Sequence, residues 1–155
     1  MNMDSLDYNA ISRLERELVF ILKEEYSFYQ SLYITMDKQR DSIKFNRDEH
    51  LLDLFAEIER CHRRIKQSED KVAAMKAKHP RMFRVAAAKP EIKKLVNSLA
   101  TMVKKNMTLV SESEEYLRER YERIRVELGE LKNSHKILQY VSDGAPSPQF
   151  LDGKN

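Results

Sequence analysis

The stretch that decides the fold is residues 90–140, "PEIKKLVNSLATMVKKNMTLVSESEEYLRERYERIRVELGELKNSHKILQY". Apolar side chains recur in it at alternating steps of three and four residues, which is typical of a helix with one buried seam. A proline followed by an acid opens the stretch, as favoured in the first turn of a helix. The pattern therefore predicts one long helix over about residues 90–140. Its seam consists of Ile92, Leu95, Leu99, Met102, Asn106, Leu109, Ser113, Leu117, Tyr121, Ile124, Leu128, Leu131, His135 and Leu138.

The seam changes register once, between Ser113 and Leu117, where a step of four replaces a step of three. Such a stutter unwinds a supercoil locally and divides a helix into two segments. At about 1.5 Å per residue, this helix would be ~75 Å long, whereas a second helix over residues 47–78 would be ~45 Å. We therefore expect an overhang from near residue 120, with an apolar stripe that needs a partner, a second copy or a fold-back at Gly129.

Two further helices precede this one. A heptad-like seam predicts the first over about residues 9–45, with Glu25 in one apolar slot, and similar spacing predicts the second over about 47–78. Asn46 and Glu49 are predicted to form a capping pair for the second helix. Pro80 should end it and make residues 80–89 a connection. In the long helix over residues 90–140, Asn106 lies on the apolar seam, and we expect its side-chain amide to be buried and to set the register of the helices.

These elements predict an all-α fold: an elongated antiparallel bundle or coiled coil of about three long helices. We expect a single helical domain over residues 1–142. Residues 143–155 should form a flexible tail, because glycine and proline are concentrated near that end.

Composition limits the classes of function. The chain has 155 residues, 41% hydrophobic and 34% charged, with no apolar run of the ~18 residues that span a bilayer. We expect a cytoplasmic protein without a membrane span. The sequence has no Gly-rich phosphate loop, nucleophile elbow or metal-spaced His and Cys set, and its one cysteine, Cys61, should be structural. We expect no catalytic residues, no metal site, no cofactor and no enzymatic activity.

Charge is segregated along the chain. The net charge is −6 for residues 1–59, +11 for residues 60–105 and −2 for residues 106–155. The basic block could bind phosphates by counterion release, or it could lie against acidic helix one. The sequence lacks the interleaved aromatic residues and the recognition motifs of nucleic-acid-binding modules. We therefore expect acidic helix one to neutralise the positive charge of the block within the bundle.

Four stretches of the chain form a recognisable set. They are "LVFILKEEYSFYQSLYITMDKQRDSI" in the first helix, a Leu-spaced second helix, "KKNMTLV" at residues 104–110, and "YVSDG" at residues 140–144 before a polar tail. Together they resemble the FlgN-type flagellar export chaperones. The resemblance spans nearly the whole chain. The strongly basic middle departs from the family and leaves a second binding surface open.

The resemblance implies a small all-α cytoplasmic protein that holds unassembled hook-filament junction proteins of the FlgK and FlgL type. Such a chaperone delivers them to the FlhA-type gate of the flagellar type III export apparatus. Carried onto this chain, it assigns substrate binding to the stripe Leu117, Tyr121, Ile124, Leu128, Leu131 and Leu138, and gate docking to Tyr140, Asp143 and Gly144. Two alternatives stay open: a coiled-coil adaptor that self-associates into a homo-oligomer, and a basic helical nucleic-acid binder.

Overall fold

The structure is a computed structural model that describes residues 7–142. Four helices follow one another: α1 (Tyr8–Lys44), α2 (Leu51–Lys78), α3 (Pro80–Ala87) and α4 (Pro90–Val141). No strand occurs within these described residues, so the all-α class is confirmed. The three long helices lie within four residues of their predicted bounds. The predicted tail, residues 143–155, falls outside the described residues.

Contacts within the chain divide it into two compact units, one up to Glu114 and one from Glu115 onward. The first unit holds α1, α2, α3 and the beginning of α4. The second unit holds the remainder of α4, to Val141. The division into two compact units does not test the predicted single domain over residues 1–142, which stays a prediction.

The turn between α1 and α2 differs from the predicted one. Asn46 has a φ of 56°, the left-handed conformation that often ends a helix. Its amide donates to the carbonyl of Ile43, and the amide of Arg47 donates to that of Ser42 at 2.7 Å. These two bonds make a Schellman motif that terminates α1. The prediction that Asn46 caps α2 is therefore wrong, and His50 precedes α2 without a side-chain cap.

Helix α3 lies where the sequence predicted only a connection. Pro80 does end α2, but it also occupies the first turn of α3. Proline is tolerated there because a backbone N–H at that position would have no hydrogen-bond partner within the helix. Met82 and Ala86, four residues apart, are buried on one face of α3. The interpretation of residues 80–89 as a connection is wrong for this reason.

The core of the first unit consists of two apolar clusters. Leu109 of α4 is in the second cluster beside Leu32 of α1 and Cys61 of α2, whose thiol is only 2% exposed. That burial raises the pKa of Cys61, in keeping with a structural role. The first cluster contains Ile11, Leu14, Leu18, Ile21, Leu22, Met75, Met82, Ala86, Ile92 and Leu99. The second contains Leu32, Met36, Ile58, Cys61, Ile65 and Leu109.

A buried polar layer separates the two clusters. It is defined by Glu25, Ser68 and Asn106, one residue from each long helix, and all three are buried. Asn106 Nδ2 donates to the carbonyl of Met102 at 3.0 Å and, more weakly, to that of Tyr29 at 3.4 Å. Its Oδ1 is buried without a hydrogen-bond partner, which costs about 1–3 kcal/mol. The prediction of a buried Asn106 is confirmed, and any shift in helix register would have to bury these polar groups against hydrocarbon.

Glu25 is the titratable member of the polar layer. Burial, and to a smaller extent the nearby charge of Glu69 on α2, raise the pKa of its carboxyl to about 7. Burial also raises the pKa of Tyr29, one turn along α1, with both carboxylates adding to the effect. The folded bundle therefore favours the neutral, protonated form of Glu25.

We expect Glu25→Gln to remove a pH dependence of stability. A folded pKa above the unfolded value means that the native state binds the extra proton, so the parent should lose stability as pH rises from about 4.5 through 7. At pH 8 the variant should be more stable by on the order of 2 kcal/mol, and near pH 4 the two should be equal. Denaturant unfolding across this pH range is the measurement.

The exposed acid of the same helix, Glu17, supplies the control: Glu17→Gln should retain the parent's pH dependence. A stability difference between Glu25→Gln and the parent that is the same at pH 4 and pH 8 would contradict the assignment.

Candidate protein-binding face

Burial on α4 ends at Ser113, the residue before the stutter in the seam. Leu109 is 3% exposed, and Ser113 is the last buried residue of the helix. Between them, Glu112 accepts a hydrogen bond from Arg40 of α1 at 3.1 Å. Burial therefore stops about a turn or two before residue 120, where comparison of helix lengths placed the start of the overhang.

The second unit presents the apolar stripe to solvent. The stripe comprises the six predicted substrate-binding residues, and each of them is exposed by 46% or more. At about 100° per residue, they fall within roughly one third of the helix circumference. The structure thus brings all six onto one accessible face: Leu117, Tyr121, Ile124, Leu128, Leu131 and Leu138.

Two ion pairs lie beside the stripe within the helix. Arg118 pairs with Glu115, and Arg125 with Glu122 at 3.0 Å, each with a partner three residues away. Such pairs give a solvated helix modest support of about 0.2–0.5 kcal/mol each. Because they need no second element, they leave the apolar stripe available to a partner.

The residues predicted to dock on the export gate are only partly described. Tyr140 is 81% exposed near the end of α4, so nothing in the described chain holds its ring. Asp143 and Gly144 lie outside the described residues. Tyr140 also lies away from the stripe around the helix, since two residues separate it from Leu138 by about 200°.

Three exposed aliphatic residues in the described part of the second unit lie outside the predicted seam: Val126, Ile137 and Val141. Val126 and Ile137 are 52% and 62% exposed and lie on the side of α4 opposite the stripe. The heptad pattern follows a single seam and therefore passes over them. Ile137 and Val141 are neighbours on the helix surface, but Val126 lies eleven residues before Ile137, so the three do not form a second stripe.

The helix is continuous through Gly129. α4 runs without a break from Pro90 to Val141, and a Cβ added at Gly129 would meet no atom within 4 Å. The fold-back that the sequence left open at this glycine does not occur. The apolar stripe is therefore carried by one uninterrupted helix.

This geometry is suited to binding another helix. An open apolar stripe can lie against an amphipathic segment and bury it. Within residues 7–142 there is no group of three or more His, Cys, Asp or Glu side chains positioned to hold a metal ion. None of the described helices has the length and apolar character required to cross a bilayer.

Comparison with protein-family models, with curated proteins and with solved structures finds no match for this chain. The roles that the resemblance assigns to the stripe and to Tyr140 are therefore proposals.

We expect Leu128→Ala together with Leu131→Ala to leave the stability of the free protein nearly unchanged. The two side chains are 60% and 66% exposed, so their truncation should alter the free energy of unfolding by about 0.5 kcal/mol or less. The matched control is Leu109→Ala on the buried part of the same helix, which should cost about 2–5 kcal/mol. Denaturant unfolding of dilute protein measures both. A large loss in the double variant would mean that the leucines belong to a core.

We expect Gly129→Ala to strengthen the second unit. Alanine is favoured over glycine in a helix interior by about 1 kcal/mol, and the added methyl group has room. Amide hydrogen exchange around residue 129 should slow about fivefold if the gain is local. Faster exchange, or a loss of helix by circular dichroism, would contradict a continuous and uncrowded helix at this position.

Proposed function

We propose that this protein is a cytoplasmic export chaperone that binds unassembled hook-filament junction proteins of the FlgK and FlgL type. It delivers them to the FlhA-type gate of the flagellar type III export apparatus. The observation that carries the proposal is the apolar stripe, six large side chains left exposed along one face of α4. The resemblance in "KKNMTLV" and "YVSDG" supplies the identity of the clients.

The stripe has the chemistry that a helix-binding chaperone needs. Burying a large apolar side chain in a partner is worth about 1.5–3 kcal/mol, so a few stripe residues supply most of a micromolar affinity. A client segment that is amphipathic and unfolded alone would cover the stripe with its own apolar face. Its polymerisation surface is then hidden until export.

Such a chaperone acts by binding and release, without chemical turnover. A client held through an open helical face can leave when the export gate competes for the same client or for the chaperone. Tyr140 is exposed and lies off the stripe, so it remains accessible while a client is bound. We assign gate docking to it and to Asp143 and Gly144 on the resemblance.

Self-association is the second candidate function. The stripe extends over about three heptads, with paired charges on its flanks, and a second copy of the same helix could cover it as a coiled coil. An adaptor of this kind would be a stable homo-oligomer at micromolar concentration. A chaperone awaiting its client would be a monomer that forms a defined complex when the client is added. Light scattering with and without client separates the two.

We expect Leu128→Ala with Leu131→Ala to reduce client affinity roughly 150-fold or more, since two large apolar contacts are lost. The matched control is Val126→Ala with Ile137→Ala, which removes two exposed apolar side chains from the opposite side of the helix and should leave the affinity unchanged. Calorimetry with a purified junction protein is the measurement. Equal losses in both variants, or none in either, would contradict a client site on the stripe.

We expect Tyr140→Ala to separate the two roles, because this residue lies off the stripe. Client affinity should stay within about twofold of the parent, while capture by the purified cytoplasmic domain of the export gate should fall. Tyr140→Phe tests whether the ring or the hydroxyl matters. If Tyr140→Ala weakens client binding as strongly as the leucine variant, the assignment of Tyr140 to the gate is wrong.

A further inference from the structure

Positive charge is concentrated at one part of the first unit. Residues 71–105 contain ten lysines and arginines and a single acid, Glu91. These residues form the last part of α2, all of α3 and the first part of α4. The proposed client site on the second unit makes no use of this charge.

The cations of this region differ from those at the beginning of the basic block. Arg63 pairs with Glu59 and Lys66 with Asp70, each within α2 at 3.3 Å. In the described part of the chain, Lys76, Arg84 and Lys93 form no ion pair with any acid. The sequence expectation that helix one neutralises the block is thus not met at these three cations, and their charge is directed to solvent.

The same region has an open apolar groove, which we call the α3 groove. Its wall includes Leu22 of α1, Val72 of α2, Phe83 of α3 and Val96 of α4, around a cavity of about 390 Å³. A second cavity of about 380 Å³ shares Phe83 and Ala87 with the first. The two cavities therefore adjoin at these two residues of α3, and the name α3 groove covers both of them.

Unpaired cations line both cavities of the α3 groove. Lys93 lines the first cavity, and Lys76 and Arg84 line the second. Val96 is 48% exposed, so apolar surface is accessible between the cations. The groove thus offers an apolar floor and a cationic rim in one place.

We propose that the α3 groove binds an acidic amphipathic helix of a partner protein. The apolar face of such a helix would cover Val96 and Phe83, and its carboxylates would lie beside Lys76, Arg84 and Lys93. Nucleic acid would use the cations and leave the apolar floor unused. A fatty acyl chain would remain largely exposed in a groove this open. The combination of floor and rim favours the peptide.

This surface is separate from the apolar stripe in both chemistry and residues. Side chains of both signs lie beside the stripe, and two ion pairs join some of them, whereas the cations that line the groove are all positive and unpaired. A partner that occupies the groove would be held in part by charge, so its binding should weaken as salt is added. Binding at the stripe should depend much less on salt.

The test uses the full chain and a designed 18-residue helical peptide with leucine along one face and glutamate on the flanks. A peptide of the same composition in scrambled order is the probe control. We expect the patterned peptide to bind at low salt, as followed by fluorescence anisotropy, at least tenfold more tightly than the scrambled one. Arg84→Glu with Lys93→Glu should weaken binding tenfold or more. Val96→Asp should do the same by interrupting the apolar floor.

Lys104→Glu with Lys105→Glu is the matched control, because it reverses two exposed cations of the same basic block outside the groove. It should leave peptide affinity within about twofold, and circular dichroism should show all variants folded. The proposal is overturned if the patterned peptide does not bind, if the scrambled peptide binds equally well, or if both charge-reversed pairs lose affinity equally. A 20-nucleotide single-stranded nucleic acid is the competing probe. If it binds more tightly than the peptide, and if both charge-reversed double variants lose that binding, the basic block binds nucleic acid instead.

Discussion

A helix can bury an apolar seam only where other helices pack against it, and the rest of this structure depends on where that packing ends on α4. Leu109 packs with Leu32 of α1 and residues of α2, and the Arg40–Glu112 pair ties α4 to α1 close by. After Ser113 no residue of the described chain is buried. The sequence nevertheless continues to place large apolar residues at seam positions. The proposed binding of a partner rests on this exposed apolar surface.

The buried polar layer complements this arrangement. Two purely apolar clusters in a bundle of long helices would tolerate sliding by a heptad, because leucine and isoleucine contacts are interchangeable between levels. Glu25, Ser68 and Asn106 bring a buried polar residue from each of the three long helices to one level, whereas the other buried polar residues, Thr35 and Ser113, come from α1 and α4. A fixed register determines which part of the α4 seam lies against α1 and α2. It thereby determines which part remains exposed.

Much of this architecture could be predicted because long helices repeat one simple signal many times. The bounds of α1 and α4, the burial of Asn106 and the apolar face of the second unit all follow from periodicity. Local features were harder to predict. Asn46 is compatible both with starting a helix and with the left-handed end of one, and only its bonding to the end of α1 distinguishes them. Pro80 ends α2 and also begins α3. Because we treated it only as a helix breaker, the sequence did not predict α3. The α3 groove combines residues of four helices that no sequence period relates.

Hydrogen exchange along α4, measured in the full chain with and without a junction-protein client, tests the central claim most directly. In the free chain at low concentration, amides of the buried part, residues 92–113, should exchange far more slowly than those of residues 117–138. Adding client should protect residues 117–138 and leave the buried part unchanged. Strong protection of residues 117–138 in the free chain, independent of its concentration, would show that the stripe is already covered and would contradict the account.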